Sequence, residues 1–141
     1  MKKTLLLIIT LIQFNIAYAQ DNKVISLRCN FSDGMVTNFD NGNAKSKSNS
    51  SMPELIFDQI DIKKGTARLI GNAGTETIQA LQGQDSIHLL EQTMTGNLNL
   101  TTVFLKTKNK NNLLPVVTSR HQSIVDAPLV SQYVGLCKVL N

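Results

Sequence analysis

Apolar and polar residues alternate along this chain in short bursts separated by turn-forming residues. Between Val24 and Phe31, Val24, Ser26, Arg28 and Asn30 alternate against Ile25, Leu27, Cys29 and Phe31. That period of two is the mark of a strand with one buried face. Asp33-Gly34 predicts a hairpin turn, with the chain returning in Met35 to Phe39. The stretch 41–53 is polar and rich in Asn, Ser and Lys, and is expected as a flexible loop. Leu55 to Ile62 follows, with its apolar phase slipping between Phe57 and Ile60, which predicts a bulge near Asp58-Gln59.

Further strands are expected at Thr66–Ile70, Thr75–Leu81, Ser86–Thr93 and Asn97–Leu105. Gly71-Asn72-Ala73-Gly74, Gly83-Gln84-Asp85 and Thr95-Gly96 punctuate them. Within 97–105, Leu98, Leu100, Thr102 and Phe104 share one face. The other face passes from polar Asn97, Asn99 and Thr101 to apolar Val103 and Leu105. After a polar turn at Lys108–Asn112 come Leu113–His121, where Pro115 argues for an edge or a strand start, an irregular 122–128, and Leu129–Val139. No long segment has a clean helical period, so the chain reads as all-β. Eight or nine evenly spaced strands favour a small antiparallel up-and-down barrel of about eight strands. A β-sandwich is the alternative.

The first residues change where this domain is expected to work. Lys2 and Lys3, the apolar run Leu5 to Ile12 and Ala17-Tyr18-Ala19 have the form of a signal peptide over 1–19, leaving 20–141 as one domain. The run is too short to cross a bilayer core, and Gln13 and Asn15 interrupt it. In an oxidising compartment, Cys29 and Cys137 are expected to form a disulfide that joins the two ends of the domain. Their Cα atoms must then lie within about 7 Å, which is natural if first and last strands meet in a closed barrel. Losing Lys2 and Lys3 leaves twelve basic against ten acidic residues, a net charge of +2. That gives no electrostatic case for nucleic acid. Lys106, Lys108 and Lys110 read as a solvated tip.

Candidate chemistry is sparse. Ser119, His121 and Asp126 lie close in sequence, but a triad is defined by geometry, and neither Ser119 nor any other serine sits in a nucleophile elbow. Asp58 and Asp61 are near one another, whereas Glu76 and Glu91 are isolated. The segment 71–74 lacks the helix and lysine of a phosphate loop and reads as a turn. Three Asn-x-Ser/Thr sequons begin at Asn30, Asn49 and Asn99. No catalytic, metal or cofactor motif stands out.

The C-terminal third carries a resemblance. Thr101-Thr102-Val103-Phe104, Ser119-Arg120-His121 and Ser131-Gln132-Tyr133-Val134-Gly135-Leu136-Cys137 resemble a pattern of small exported bacterial proteins of unknown function. The likeness extends to 66–72 and implies an envelope or secreted location, with no activity attached. A looser likeness, through Cys29-Asn30-Phe31-Ser32-Asp33-Gly34 and the late cysteine, is to periplasmic inhibitors of c-type lysozyme. Their serine-glycine-rich inhibitory loop is absent from this sequence.

The resulting expectation is an exported, non-enzymatic binding or interaction protein of the bacterial cell envelope, monomeric, periplasmic or secreted, with no cofactor and an unnamed ligand or partner. Arg120, His121, Gln132 and Tyr133 are the recognition candidates, as directional polar groups near the closure seam. The alternatives are an inhibitor of a secreted hydrolase such as lysozyme, and a small hydrolase using His121 or His88.

Overall fold

The computed structural model describes residues 24–71, 74–124 and 127–140. The expected signal peptide, 1–19, lies outside the described residues, as do Asn72, Ala73 and Asp126. Nine strands run in chain order: β1 Ile25–Asp40, β2 Asn43–Ser48, β3 Leu55–Asp61, β4 Thr66–Gly71, β5 Gly74–Gln82, β6 Ser86–Gln92, β7 Leu98–Phe104, β8 Leu114–Ile124 and β9 Ala127–Leu140. Each of β3 to β8 pairs antiparallel with its successor, and β9 pairs with β1. The N-terminal part of β1 also pairs with β3, which closes an eight-stranded barrel and leaves β2 as an extra strand. Closure removes the free edges of an open meander.

The seam of the barrel is β1 against β9, with Cys29 directly opposite Cys137. The two are joined as a disulfide and are completely buried. Gly135 lies against Phe31, where a Cβ would overlap the β1 backbone, so the seam closes tightly only with glycine there.

Three local expectations change. Asp33-Gly34 does not turn the chain. β1 runs on to Asp40, with a register shift between Phe31 and Asp33. The long β9 supplies ladder partners on both sides of that shift, so the irregularity becomes a bulge instead of a hairpin. The polar stretch 41–53 is not all loop, because Asn43–Ser48 forms β2 on the flank of β1. Every β2 residue is exposed. A ladder needs only backbone groups, so β2 forms without the apolar alternation that marks other strands. Within 122–128, Gln122, Ser123 and Ile124 are likewise paired, with Leu129, Pro128 and Ala127 respectively. The expected bulge in β3 is present: the register shifts between Asp58 and Asp61, and Gln59 adopts a left-handed φ of 49°. It turns Ile60 into the core and places Asp61 at the β3–β4 turn.

Inward side chains pack one half of the barrel solid. Leu27, Phe57, Ile60, Leu89, Val103 and Val116 are the bulk of this core, and Ala67 and Ala80 fit between them. The half near Gly71, Gly74, the 93–97 turn and Ile124 is different, because there the inward positions become polar.

Candidate functional site

Strand alternation decides where the four recognition candidates go. On β8 the inward residues are Leu114, Val116, Thr118 and Arg120, the last three of them facing Gly135, Tyr133 and Ser131 of β9. Arg120 and Tyr133 therefore point inward, and their sequence neighbours His121 and Gln132 point out. His121 is exposed, and Gln132 donates from Nε2 to Ser119 Oγ at 3.2 Å on the outer wall. The four do not form one cluster.

The inward pair have different surroundings. Tyr133 is buried, and its hydroxyl accepts from Asn49 Nδ2 at 3.1 Å. Its ring lies over Gly34, where any Cβ would collide with it. Asn49 also donates from its backbone N–H to Gly34 O at 2.9 Å and accepts Ser51 N–H at Oδ1, 2.9 Å. Tyr133 thus anchors the 49–54 connection, whose far end, Pro53 and Glu54, forms part of the barrel rim.

Arg120 belongs to a row that the sequence did not mark. Register places Glu91 opposite Asn99, Asn99 opposite Arg120, and Arg120 opposite Ser131. These four inward positions lie side by side across β6 to β9. One step deeper, Thr101 and Thr118 are buried and their hydroxyls are 2.8 Å apart. Asn99 Nδ2 donates to Glu91 Oε2 at 2.6 Å. That bond orients the Asn99 amide, since only the nitrogen can donate to a carboxylate. Asn99 Oδ1 is buried and has no hydrogen-bond partner. Among the described residues, no carboxylate lies within 4.0 Å of the Arg120 guanidinium.

Three of the row, Glu91, Asn99 and Arg120, form one wall of an open recess of about 500 Å³ at the barrel mouth. The opposite wall is largely apolar, with Pro53, Leu55, Ile56, Leu69 and Ile70. Beneath it the void shrinks to about 20 Å³, closed by Phe57, Ile78 and Leu89. That is room for about one water. An adjoining hollow of about 490 Å³ brings Glu76 and Glu91 to one concavity, although they are isolated in the sequence. Glu54 at the rim is paired with Arg28 at 3.6 Å, and among the described residues Arg120 is the cation lining the recess.

The remaining candidates sit elsewhere. His88 is on the outer wall, with Nε2 3.2 Å from Ser86 Oγ and Nδ1 3.0 Å from Thr102 Oγ1. His121 is exposed and alternates with the inward Arg120, so both histidines face away from the recess. Asp58 faces outward and binds Ser26 Oγ at 2.6 Å and Arg68 at 3.7 Å. Asp61 accepts Lys64 N–H at 3.0 Å, and that backbone bond is the main reason its carboxyl is held below the usual range. Among the described residues, no group of three or more His, Cys, Asp or Glu is placed to hold a metal ion. No helix there is long and apolar enough to cross a membrane.

Glu91, Asn99, Thr101 and Thr118 are the site residues that sequence reasoning missed. A signal for them existed in β7, whose second face passes from polar to apolar. That face is the barrel interior, and the gradient is depth, from the open mouth to the packed core. Comparison with family models, curated proteins and solved structures returns no match.

Proposed function

We propose that this protein is an exported, non-enzymatic binding protein of the bacterial cell envelope, and that the barrel mouth is its recognition surface. One observation carries the reading: on the wall of an open recess, Arg120 lacks a carboxylate partner among the described residues. An unpaired guanidinium is a forked donor suited to a carboxylate or phosphate group. Recesses with an apolar wall and a few convergent polar groups are the usual form of binding sites. The packed core beneath limits the occupant to the mouth. Export is supported by the leader pattern of 1–19 and by a buried disulfide joining the ends of the domain.

The alternatives have less support. A hydrolase built on His88 or His121 would need one of them in a cleft beside a carboxylate, and both lie on the outer wall. A hydrolase inhibitor of the lysozyme-inhibitor type would reach its target with a protruding loop, whereas Arg120 here lines a hollow.

Site-directed photocrosslinking in the bacterial envelope tests the reading. A photoreactive residue at Gln122, on the recess wall, is expected to give a defined adduct that disappears when Arg120→Ala is added. The same residue at Gln79, exposed on the outer wall, should give none. Adducts from Gln79 and not Gln122, or a Gln122 adduct indifferent to Arg120, would refute the mouth as the recognition surface.

A further inference from the structure

Two opposite charges line the mouth without meeting each other, and their placement specifies a ligand. Resting on the mouth as the recognition surface, we infer that it binds a free α-amino acid with an apolar side chain, held as the zwitterion.

Register sets Glu91, Asn99 and Arg120 side by side on β6, β7 and β8. Neighbouring strands lie about 4.8 Å apart, so the backbones carrying the two charges are about 10 Å apart. Asn99 stands between them and donates from Nδ2 to Glu91 Oε2 at 2.6 Å. Among the described residues, every carboxylate is more than 4.0 Å from the Arg120 guanidinium. Both charged residues are half-buried, where opposite charges attract more strongly than in bulk water. The Asn99 amide keeps them from neutralising each other. A ligand carboxylate can take two N–H groups of the guanidinium at once. A ligand ammonium can bond Glu91, whose carboxylate has acceptor sites beyond the one Asn99 uses. An α-amino acid carries both groups on one carbon, and a charge-assisted bond of about 2.8 Å at each end lets it bridge the two residues. Its third substituent then faces Leu55 and Leu69 on the opposite wall.

Singly charged ligands meet one of the two residues badly. A fatty acid would satisfy Arg120 but set its carboxylate beside Glu91, and a phosphate group would double that repulsion. A bare amine would satisfy Glu91 and face Arg120. The adjoining hollow strengthens the polarity, because it shares Glu91 with the recess and adds Glu76 on the side away from Arg120. Glu54, the third acid at the mouth, is already engaged by Arg28.

The test is a calorimetric titration of the purified, disulfide-bonded protein. The probes are leucine, phenylalanine, leucinamide, which lacks the carboxylate, N-acetyl-leucine, which lacks the ammonium, and glycine, which lacks the side chain. Leucine is expected to bind roughly tenfold to a hundredfold more tightly than leucinamide or N-acetyl-leucine, the value of a hydrogen bond to a charged group. Glycine should be weaker than leucine by about tenfold or more, the value of burying the side chain. Arg120→Gln should abolish the preference for leucine over leucinamide and keep that over N-acetyl-leucine. Glu91→Gln should do the reverse, and His121→Ala should leave both preferences intact. The ranking of probes on the unaltered protein decides the matter even where a variant fails to fold.

N-acetyl-leucine or leucinamide binding as tightly as leucine would reduce the site to one charge and overturn the inference. So would the absence of binding by both leucine and phenylalanine. If the Gln122 adduct still forms and still depends on Arg120 in that case, the ligand class falls and the mouth stands.

Discussion

A missing Cβ and a missing partner define this protein at the scale of single residues. Gly34 is required because the Tyr133 ring occupies the space a side chain would take, and Tyr133 in turn holds Asn49. Asp61 shows the opposite economy, with several partners gathered on one carboxylate. Its oxygens meet Lys64 N–H at 3.0 Å and Lys64 Nζ at 3.3 Å, which lowers its pKa through the backbone bond first. A carboxyl lowered on folding adds stability that is fully present above its unfolded pKa, about 4, and is lost as pH falls through the folded value. Melting temperature should therefore drop below about pH 4. Asp61→Asn should be less stable at neutral pH and show a flatter decline in that acid window. A variant with the wild-type acid profile would remove Asp61 from the account.

None of this pairing was legible in advance. Strict alternation sets Asp58 and Asp61 on opposite faces unless a bulge intervenes, and the left-handed Gln59 marks that bulge. The four candidates Arg120, His121, Gln132 and Tyr133 were chosen by residue type. Type does not say which of two neighbours faces inward. Once the phase of β8 is known, His121 and Gln132 fall outside, while Glu91, Asn99, Thr101 and Thr118 come in.

At the scale of elements, alternating strands such as β4 to β7 appeared in the sequence nearly where they occur, because each has to bury one face. β2 did not, because it buries neither face and exists only as a partner to β1. The β7–β8 pair is tied internally by the Thr101–Thr118 hydroxyl bond at 2.8 Å, with both residues buried. Changing one threonine to valine strands the other hydroxyl, so Thr101→Val or Thr118→Val alone should cost about 1–3 kcal/mol. The double variant should recover much of that loss, because two apolar groups of the same shape leave no orphan. Urea denaturation of the four proteins closes the cycle, and strictly additive losses would show that the hydroxyls do not act as a pair.

For the whole molecule, the decisive fact is that the two ends of the domain meet. Cys29 and Cys137 are 108 residues apart in sequence and directly opposed across the seam. A loop of about that size corresponds to about 4.7 kcal/mol in the chain-entropy description, and removing native disulfides from small exported domains typically costs about 2–5 kcal/mol. Total stability for a domain of this size is about 5–15 kcal/mol. The Cys29→Ala/Cys137→Ala double variant should thus shift the urea midpoint strongly downward with the native barrel still forming in the cold. An unchanged midpoint would mean that the β1–β9 ladder alone holds the seam.

The sequence by itself determined the all-β class, the approximate strand number, the bulge in β3 and the disulfide that closes the barrel. These follow from local alternation, turn residues and cysteine count, which act over a few residues or need only a covalent pair. Tertiary structure alone decided that β1 runs through Asp33-Gly34, that β2 is a strand, and that Glu91, Asn99 and Arg120 stand in one row. Each depends on register between strands distant in the chain. A shift of one residue in that register would reverse which side chains face the mouth.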